Sequence, residues 1–421
     1  MSNESPVFKP ADKDTSNVFW MYVLFFIWPM MAVIQSLKNL GHSYARYIIV
    51  LFFGLFSLNF VYNYKHDSMR HQESFIRISE RPFADFFEIV SGLYSEEGVK
   101  PDFVMDLVAF IVSRFTAQSS IFFLALGILL GIAVMKNVKV LYALYSRQKH
   151  VIALVFLIFF LGLLSPGRIL SFRHYLALAV YVLAVYQYLK EDKKYYLLFI
   201  IGSVFIHFGF LMVVPLFFIY LLAGNRNLLY YALIIASFFF ADMTATLLRD
   251  YGMGNDTNLD SVVKGYTGKK YLAQVTELQG QRNVLLNNYL RWTTIYLLVV
   301  MLYHKFKYKV FDKVSENLYS FTILFFAFVN FTVGMESISN RFSIVFQALA
   351  CFFFIHLYSV NQIKTAKSFK YATITVVALN IAIMVRLTFE FMNFNAVVPF
   401  LPFSLFVDSD LTMIEFINKF R

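Results

Sequence analysis

Apolar runs close to twenty residues long recur along nearly the whole chain, and this recurrence constrains the fold more than any motif does. A helix of about 20 residues crosses the roughly 30 Å of a bilayer's hydrocarbon and satisfies its own backbone there. Composition points the same way. Of the 421 residues 59% are hydrophobic and 19% aromatic, with 51 Phe and 27 Tyr, more apolar surface than a soluble core of this size hides. The expected fold is all-α: a polytopic integral membrane protein of about twelve transmembrane helices, some short or broken, with two long outer loops.

The first run, 18–34, contains Pro29, lacks a convincing small-residue cleavage site after it, and reads as an uncleaved span. Runs at 47–62, 119–134, 151–164 and 175–189 follow. Residues 195–222 form either one long helix or two short ones broken near His207, Phe208 and Gly209. Runs at 228–247, 289–304, 318–333, 342–358 and 371–387 complete the set. Residues 18–388 are taken as a single polytopic domain. Within it, 63–117 is an outer loop with amphipathic helices at 83–94 and 103–115, and 249–288 is a second outer loop, either a lid or sugar-binding surface or a solvated connector. Residues 391–421 form a C-terminal tail with Pro399, Pro402 and an amphipathic stretch at 411–420.

The net charge of +11 resides in short turns between apolar runs, not on one face or in one tail, so it argues topology and not nucleic-acid binding. It also decides how 195–222 is read. With two helices there, one side collects the turns bearing Lys38 and Arg46; Lys136, Lys139, Arg147 and Lys149; Lys190, Lys193 and Lys194; Arg226; Lys305, Lys307, Lys309 and Lys313; and Lys364, Lys367 and Lys370. Only Arg168, Arg173 and Arg341 remain in short turns on the other. The excess of basic residues on cytoplasmic loops makes the first side cytoplasmic and puts both termini outside. Each half of 195–222 is thin for a span, and a helix broken at membrane depth is tolerated only where protein encloses it. His207 is therefore expected at the floor of a cavity open to the outside.

At about 1.5 Å per residue, His207 lies roughly 20 Å above the Lys190–Lys194 turn, near the level of Arg173. Arg168, Arg173, His174, His207, Asp242, Arg291, Glu336, Arg341, Arg386 and Glu390 all fall near one outer level. Such a ring suits a phosphate ester, since the planar guanidinium binds phosphate bidentately and keeps its charge. His207, Glu336 and His174 are the candidate general bases. The bland alternatives are snorkelling arginines and a hydrogen-bonded core histidine. There is no Gly-rich phosphate loop and no metal-spaced Cys and His set; the lone Cys351 lies in an apolar run, and the two DxD triplets at 12–14 and 408–410 sit in tails. Neither a metal nor another cofactor is expected.

Arg173 followed by YLALAVYVLAVYQYLK, a basic turn, then His207 in IHFGFLMVVPLFF resembles the EpsG-like branch of the Wzy-type polysaccharide polymerases. GMESISNRF, with Arg341 opening a late aromatic helix, and KPDFVMDLVAFIVSRF are further points of likeness. In place of a Gly-Thr-Asp-like motif early in the first outer loop stands YNYKHDSMRHQ. The resemblance implies an inverting glycosyltransferase that joins undecaprenyl-pyrophosphate-linked oligosaccharides on the outer face of a bacterial cytoplasmic (inner) membrane. It implies His207 and Glu336 as catalytic residues, Arg168, Arg173 and Arg341 on the pyrophosphate, and His174, Asp242, Arg291 and Arg386 in support. Expected partners are these lipid-linked sugars and membrane lipid, with a chain-length regulator as a candidate and no nucleic acid. A flippase or transporter of the same lipid-linked sugars, or a glycan ligase or acyltransferase, is the alternative function. A transporter would show internal repeats with charges through the membrane midplane, and no repeat is visible.

Overall fold

The computed structural model describes residues 15–59, 67–87, 103–250, 284–308, 311–361, 363, 365–389 and 398–403; among them it is helical, with no strand. The bulk of the second outer loop, Glu390 and the stretch 411–420 lie outside the described residues. The first run is two helices, α1 (Thr15–Ile27) and α2 (Pro29–Lys38). Pro29 lacks an N–H and suits only a first helical turn, so one helix ends and another starts there. A short 3₁₀ turn, Val398–Phe400, docks at the break: the Trp28 indole donates to Phe400 O at 2.7 Å and Phe403 N to Ile27 O at 2.7 Å.

Then come α3 (Ser43–Leu58), α4 (Asp67–Ser79) and α5 (Val104–Ser113). Arg114 ties the last two together by donating to Arg81 O and Ile78 O at 2.7 and 3.0 Å. Helix α6 (Ser119–Gln148) is longer than its apolar run. Lys136, Lys139 and Arg147, expected in a turn, stand on this helix, which ends only where Lys149 turns left-handed at φ 50°. Lysine and arginine are good helix formers, so a charge marks the edge of the apolar stretch without ending the helix.

Helices α7 (Val151–Leu163) and α8 (Phe172–Glu191) are joined by a 3₁₀ segment, Pro166–Ser171. After α9 (Tyr195–Ile206), the 3₁₀ segment Phe208–Met212 and α10 (Val213–Ala223), the chain continues as α11 (Asn227–Asp250), α12 (Val284–Lys307), α13 (Lys313–Phe331), α14 (Glu336–Val360) and α15 (Lys367–Phe389). Glu336 and Arg341, expected in an outer turn, belong to the first turns of α14. Five of the described helices are long and apolar enough to cross a membrane, and shorter apolar helices stand beside them. Helix α14 is the axis of the bundle, buried almost throughout, whereas α15 lies on its outside.

Contacts between helix ends show how the segment 195–223 runs. The Tyr186 hydroxyl near the end of α8 meets His356 Nδ1 near the end of α14 at 3.1 Å, and His356 Nε2 meets Asp312, the N-cap of α13, at 3.2 Å. Asn225, just past α10, donates to Asn317 in the first turns of α13 at 2.9 Å. The turns on either side of α9 and α10 therefore lie at one end of the bundle. At the other end His207 packs beside His174, at the start of α8. So α9 rises and α10 returns. With 12 and 11 residues they reach about 18 and 16 Å, short of the roughly 30 Å of a full span.

The other described basic turns gather at the same end as Lys190. His150 stacks on Tyr358 at 4.5 Å, the His304 imidazole meets the Tyr358 hydroxyl at 2.5 Å, and Lys305 pairs with Glu316. Gly41, in the turn after Lys38, faces Tyr142 near the end of α6. We call this the basic end and its opposite the histidine end.

Two features give stability predictions. In α6 the sequence GILLG puts Gly127 and Gly131 one turn apart against α3, the small-xxx-small arrangement that lets membrane helices approach closely. A Cβ at Gly127 would fall on the Ser57 hydroxyl and within 2.5 Å of the Phe53 carbonyl oxygen. Because backbone cannot give way as a flexible side chain does, Gly127→Leu is expected to cost at least about 1–3 kcal/mol, read as a lower unfolding midpoint in detergent.

The second is Asp312. Burial alone would raise its carboxyl, but hydrogen bonds from His356 and from the Ser315 hydroxyl and backbone hold it well below the usual carboxylate range. A depressed folded-state value means stability that is fully present above the unfolded value of about 4 and lost as pH falls further. Asp312→Asn is therefore expected to be less stable than the parent at pH 7. Denaturation curves should converge as pH drops below about 4.

Candidate functional site

The histidine end is built from three interruptions of helix. At the first, His207 is extended (φ −149°, ψ 114°) and its N–H still donates to Ser203 O at 3.0 Å, so α9 stops without an orphaned donor. Gly209 follows. A Cβ there would come within 3.2 Å of the His207 imidazole, so the missing side chain gives the ring its place. At the second, Pro166 and Gly167 start the 3₁₀ segment that carries Arg168 and leads into α8 with Arg173 and His174. Gly167 is packed directly against Thr388, which fixes this segment to the end of α15. The third is the turn before Glu336, from which α14 carries Arg341 and Phe342.

These pieces converge on His174, which is 3% exposed. Its ring lies 5.5 Å from that of His207, nearly perpendicular to it, with Phe210 at 5.7 Å and Phe342 at 6.2 Å completing an aromatic box. The charges of Arg341 and Arg168 act on the same ring, and the Arg341 backbone is close by. Among the described residues neither nitrogen of His174 has a hydrogen-bond partner of normal geometry. Arg168 is held from two sides: its Nε donates to Leu163 O at 3.2 Å and its guanidinium lies over the Tyr175 ring, 5.0 Å from the centroid. Its Nη2 is shut off from solvent and has no hydrogen-bond partner among the described residues. A buried donor left unmade costs about 1–3 kcal/mol, so such atoms call for an explanation, and an anionic ligand supplies one.

The expected residues divide. His174, His207, Arg168 and Arg341 are brought together, and Arg173, half-buried, is the neighbour of His174 in the first turn of α8. Glu336 is half-buried in the first turn of α14, where helix electrostatics suit a carboxylate, and Asn340 donates to its Oε1 at 3.4 Å. Arg291 and Arg386 are exposed on α12 and α15. The side chain of Asp242, on α11, lies outside the described residues. No group of three or more potential metal ligands occurs among the described residues.

Sequence reasoning missed Tyr175, Phe210 and Phe342, the rings that shape the box. Phe210 and Phe342 each follow a proposed site residue within three positions, but so do many of the 51 phenylalanines. Nothing in a chain this aromatic marks those that face a site.

The arrangement offers guanidinium groups for a dispersed negative charge and an imidazole for a proton, in an aromatic and therefore low-dielectric setting where charge interactions strengthen. A family model described as EpsG family matches residues 81–405, a stretch that contains every one of these groups. No curated protein and no solved structure matches the chain.

Proposed function

The chain belongs to the EpsG family, a Wzy-like family of polysaccharide polymerases, and from that premise we propose that it polymerises lipid-linked repeat units at the histidine end. One observation carries the assignment to this end. One guanidinium nitrogen of Arg168 is closed to solvent and has no hydrogen-bond partner among the described residues, and the buried His174 ring beside His207 and Arg341 has none of normal geometry. The donor is an oligosaccharide on undecaprenyl pyrophosphate, and the arginines receive the pyrophosphate. A hydroxyl of the acceptor unit attacks the anomeric carbon from the face opposite the leaving group while His207 takes its proton. The new glycosidic bond forms as the anomeric carbon–phosphate oxygen bond breaks, so configuration inverts and the pyrophosphate departs on its lipid. His174 positions His207 and Arg168, and Glu336 is the second candidate base. Arg173 and Arg341 share the pyrophosphate with Arg168.

The clustering of basic turns at the opposite end supports an outward-facing site in a bacterial inner membrane. The test is the glycan profile of cells lacking this chain. Long chains should vanish while single repeat units remain attached to their final acceptor. Disappearance of all surface units would instead indicate a flippase or ligase.

A further inference from the structure

A mainly apolar crevice of about 270 Å³ opens on the flank of the bundle between α6, α8 and α9. Small side chains make the room, because Ala133, Ala179 and Ala184 line it together with Leu129 and Val180. Lys136, on its rim, is exposed, and a lysine's four-carbon stem packs along apolar surface while the charged head stays out. Voids walled by hydrocarbon tend to stay dry, so the natural filling here is a hydrocarbon chain.

The crevice begins at the level of Arg173. Helices α6 and α8 both run from the histidine end toward the basic end, and the Asn137 amide sets their register by donating to Ala179 O at 2.9 Å. From that contact Leu129 stands eight residues toward the histidine end on α6 and Arg173 six on α8, or about 12 and 9 Å. The stripe of α8 that faces the crevice leads back to the same arginine. Between Phe172 and Leu189 only Arg173, Val180, Leu183, Gln187 and Tyr188 are not buried, and Arg173, Val180 and Gln187 recur every seven residues, about two turns. The lining ends at the polar Gln187, about 21 Å down α8 from Arg173.

We propose that this crevice holds the first isoprene units of the donor's polyprenyl chain. The inference rests on the polymerase reading, which puts the donor's pyrophosphate on Arg173, so the attached chain starts where the crevice starts. The opening on the flank lets the lipid enter from the bilayer with its chain never leaving hydrocarbon, and the units beyond Gln187 stay among the membrane lipids. Held along α8, the chain restrains the pyrophosphate beside Arg173 and so orients the bond that breaks.

Native mass spectrometry of the full chain in detergent tests it, with undecaprenyl pyrophosphate, isopentenyl pyrophosphate and phosphatidylglycerol as the probes. The first two share a head group and differ in the length of the chain. The parent should retain undecaprenyl pyrophosphate in preference to both others. Filling the crevice by Ala133→Phe or Val180→Trp, both at half-buried positions, should weaken its retention roughly fivefold or more and leave isopentenyl pyrophosphate unchanged. Leu222→Phe, at a 90% exposed position on α10 outside the crevice, should alter neither. Arg173→Ala should weaken both pyrophosphates. Crevice variants that hold undecaprenyl pyrophosphate as the parent does would overturn the crevice and leave the pyrophosphate site standing. Equal losses of undecaprenyl pyrophosphate and phosphatidylglycerol in those variants would also overturn it, by making the crevice a groove for any lipid. A parent that retains neither pyrophosphate would overturn the pyrophosphate site and the crevice together.

Discussion

His207→Ala is expected to abolish the ladder of long glycans while single repeat units remain, with polymerisation slowed by roughly 10²–10⁴-fold, the usual contribution of a positioned general base. The protein should still be made and folded. His207 sits at a break in the helix with its N–H already bonded to Ser203 O, so truncating its half-buried ring removes no backbone contact. His174→Ala is a different case, because that ring fills an aromatic box and is 3% exposed. Its loss should lower the unfolding midpoint as well as the rate. Ladder lengths in a strain lacking the chromosomal copy, with variants matched by immunoblot, separate the two. A full ladder from well-expressed His207→Ala would remove the imidazole from the mechanism and leave Glu336 as the base.

Arg173→Lys should fall nearly as far as Arg173→Ala, by roughly 10²-fold or more, and Arg341→Lys should follow the same pattern. Bidentate binding of a phosphate needs the planar fork of a guanidinium, and lysine keeps the charge while losing the fork. If Arg173 merely reached for lipid head groups, lysine would serve as well. The same ladder assay decides. Full chains from Arg173→Lys with none from Arg173→Ala would reduce the residue to a point charge, and full chains from both would remove it from the site.

Arg168 adds a contrast, because its guanidinium already rests on Tyr175 and on Leu163 O, with one nitrogen still lacking a partner. A lysine there would lose the stacking and the carbonyl contact together.

The sequence by itself determined that the chain is a helical membrane protein, because a span of hydrocarbon demands a run of apolar residues whatever surrounds it. It also determined that residues 195–222 break near His207. Lysines and arginines balance on one side only if the chain turns back there, and His-Phe-Gly supplies a residue without a side chain where the turn needs room. The charge pattern was less informative about helix ends, since Lys136 and Lys139 continue α6 instead of ending it. Only the tertiary structure decided which cations share a site. Arg168, Arg341, Arg291 and Arg386 all fall near one level by counting residues, but level along a helix says nothing of direction around it. Packing of α8 against α14 and the 3₁₀ segment after His207 turned His174 inward among Phe210 and Phe342, close to Arg341. The exposed positions of Arg291 and Arg386 follow from the faces that α12 and α15 bury: α12 packs against α13, α14 and α15, and α15 against α7, some two hundred residues earlier in the chain, and none of these pairings can be read from a residue's level along its own helix.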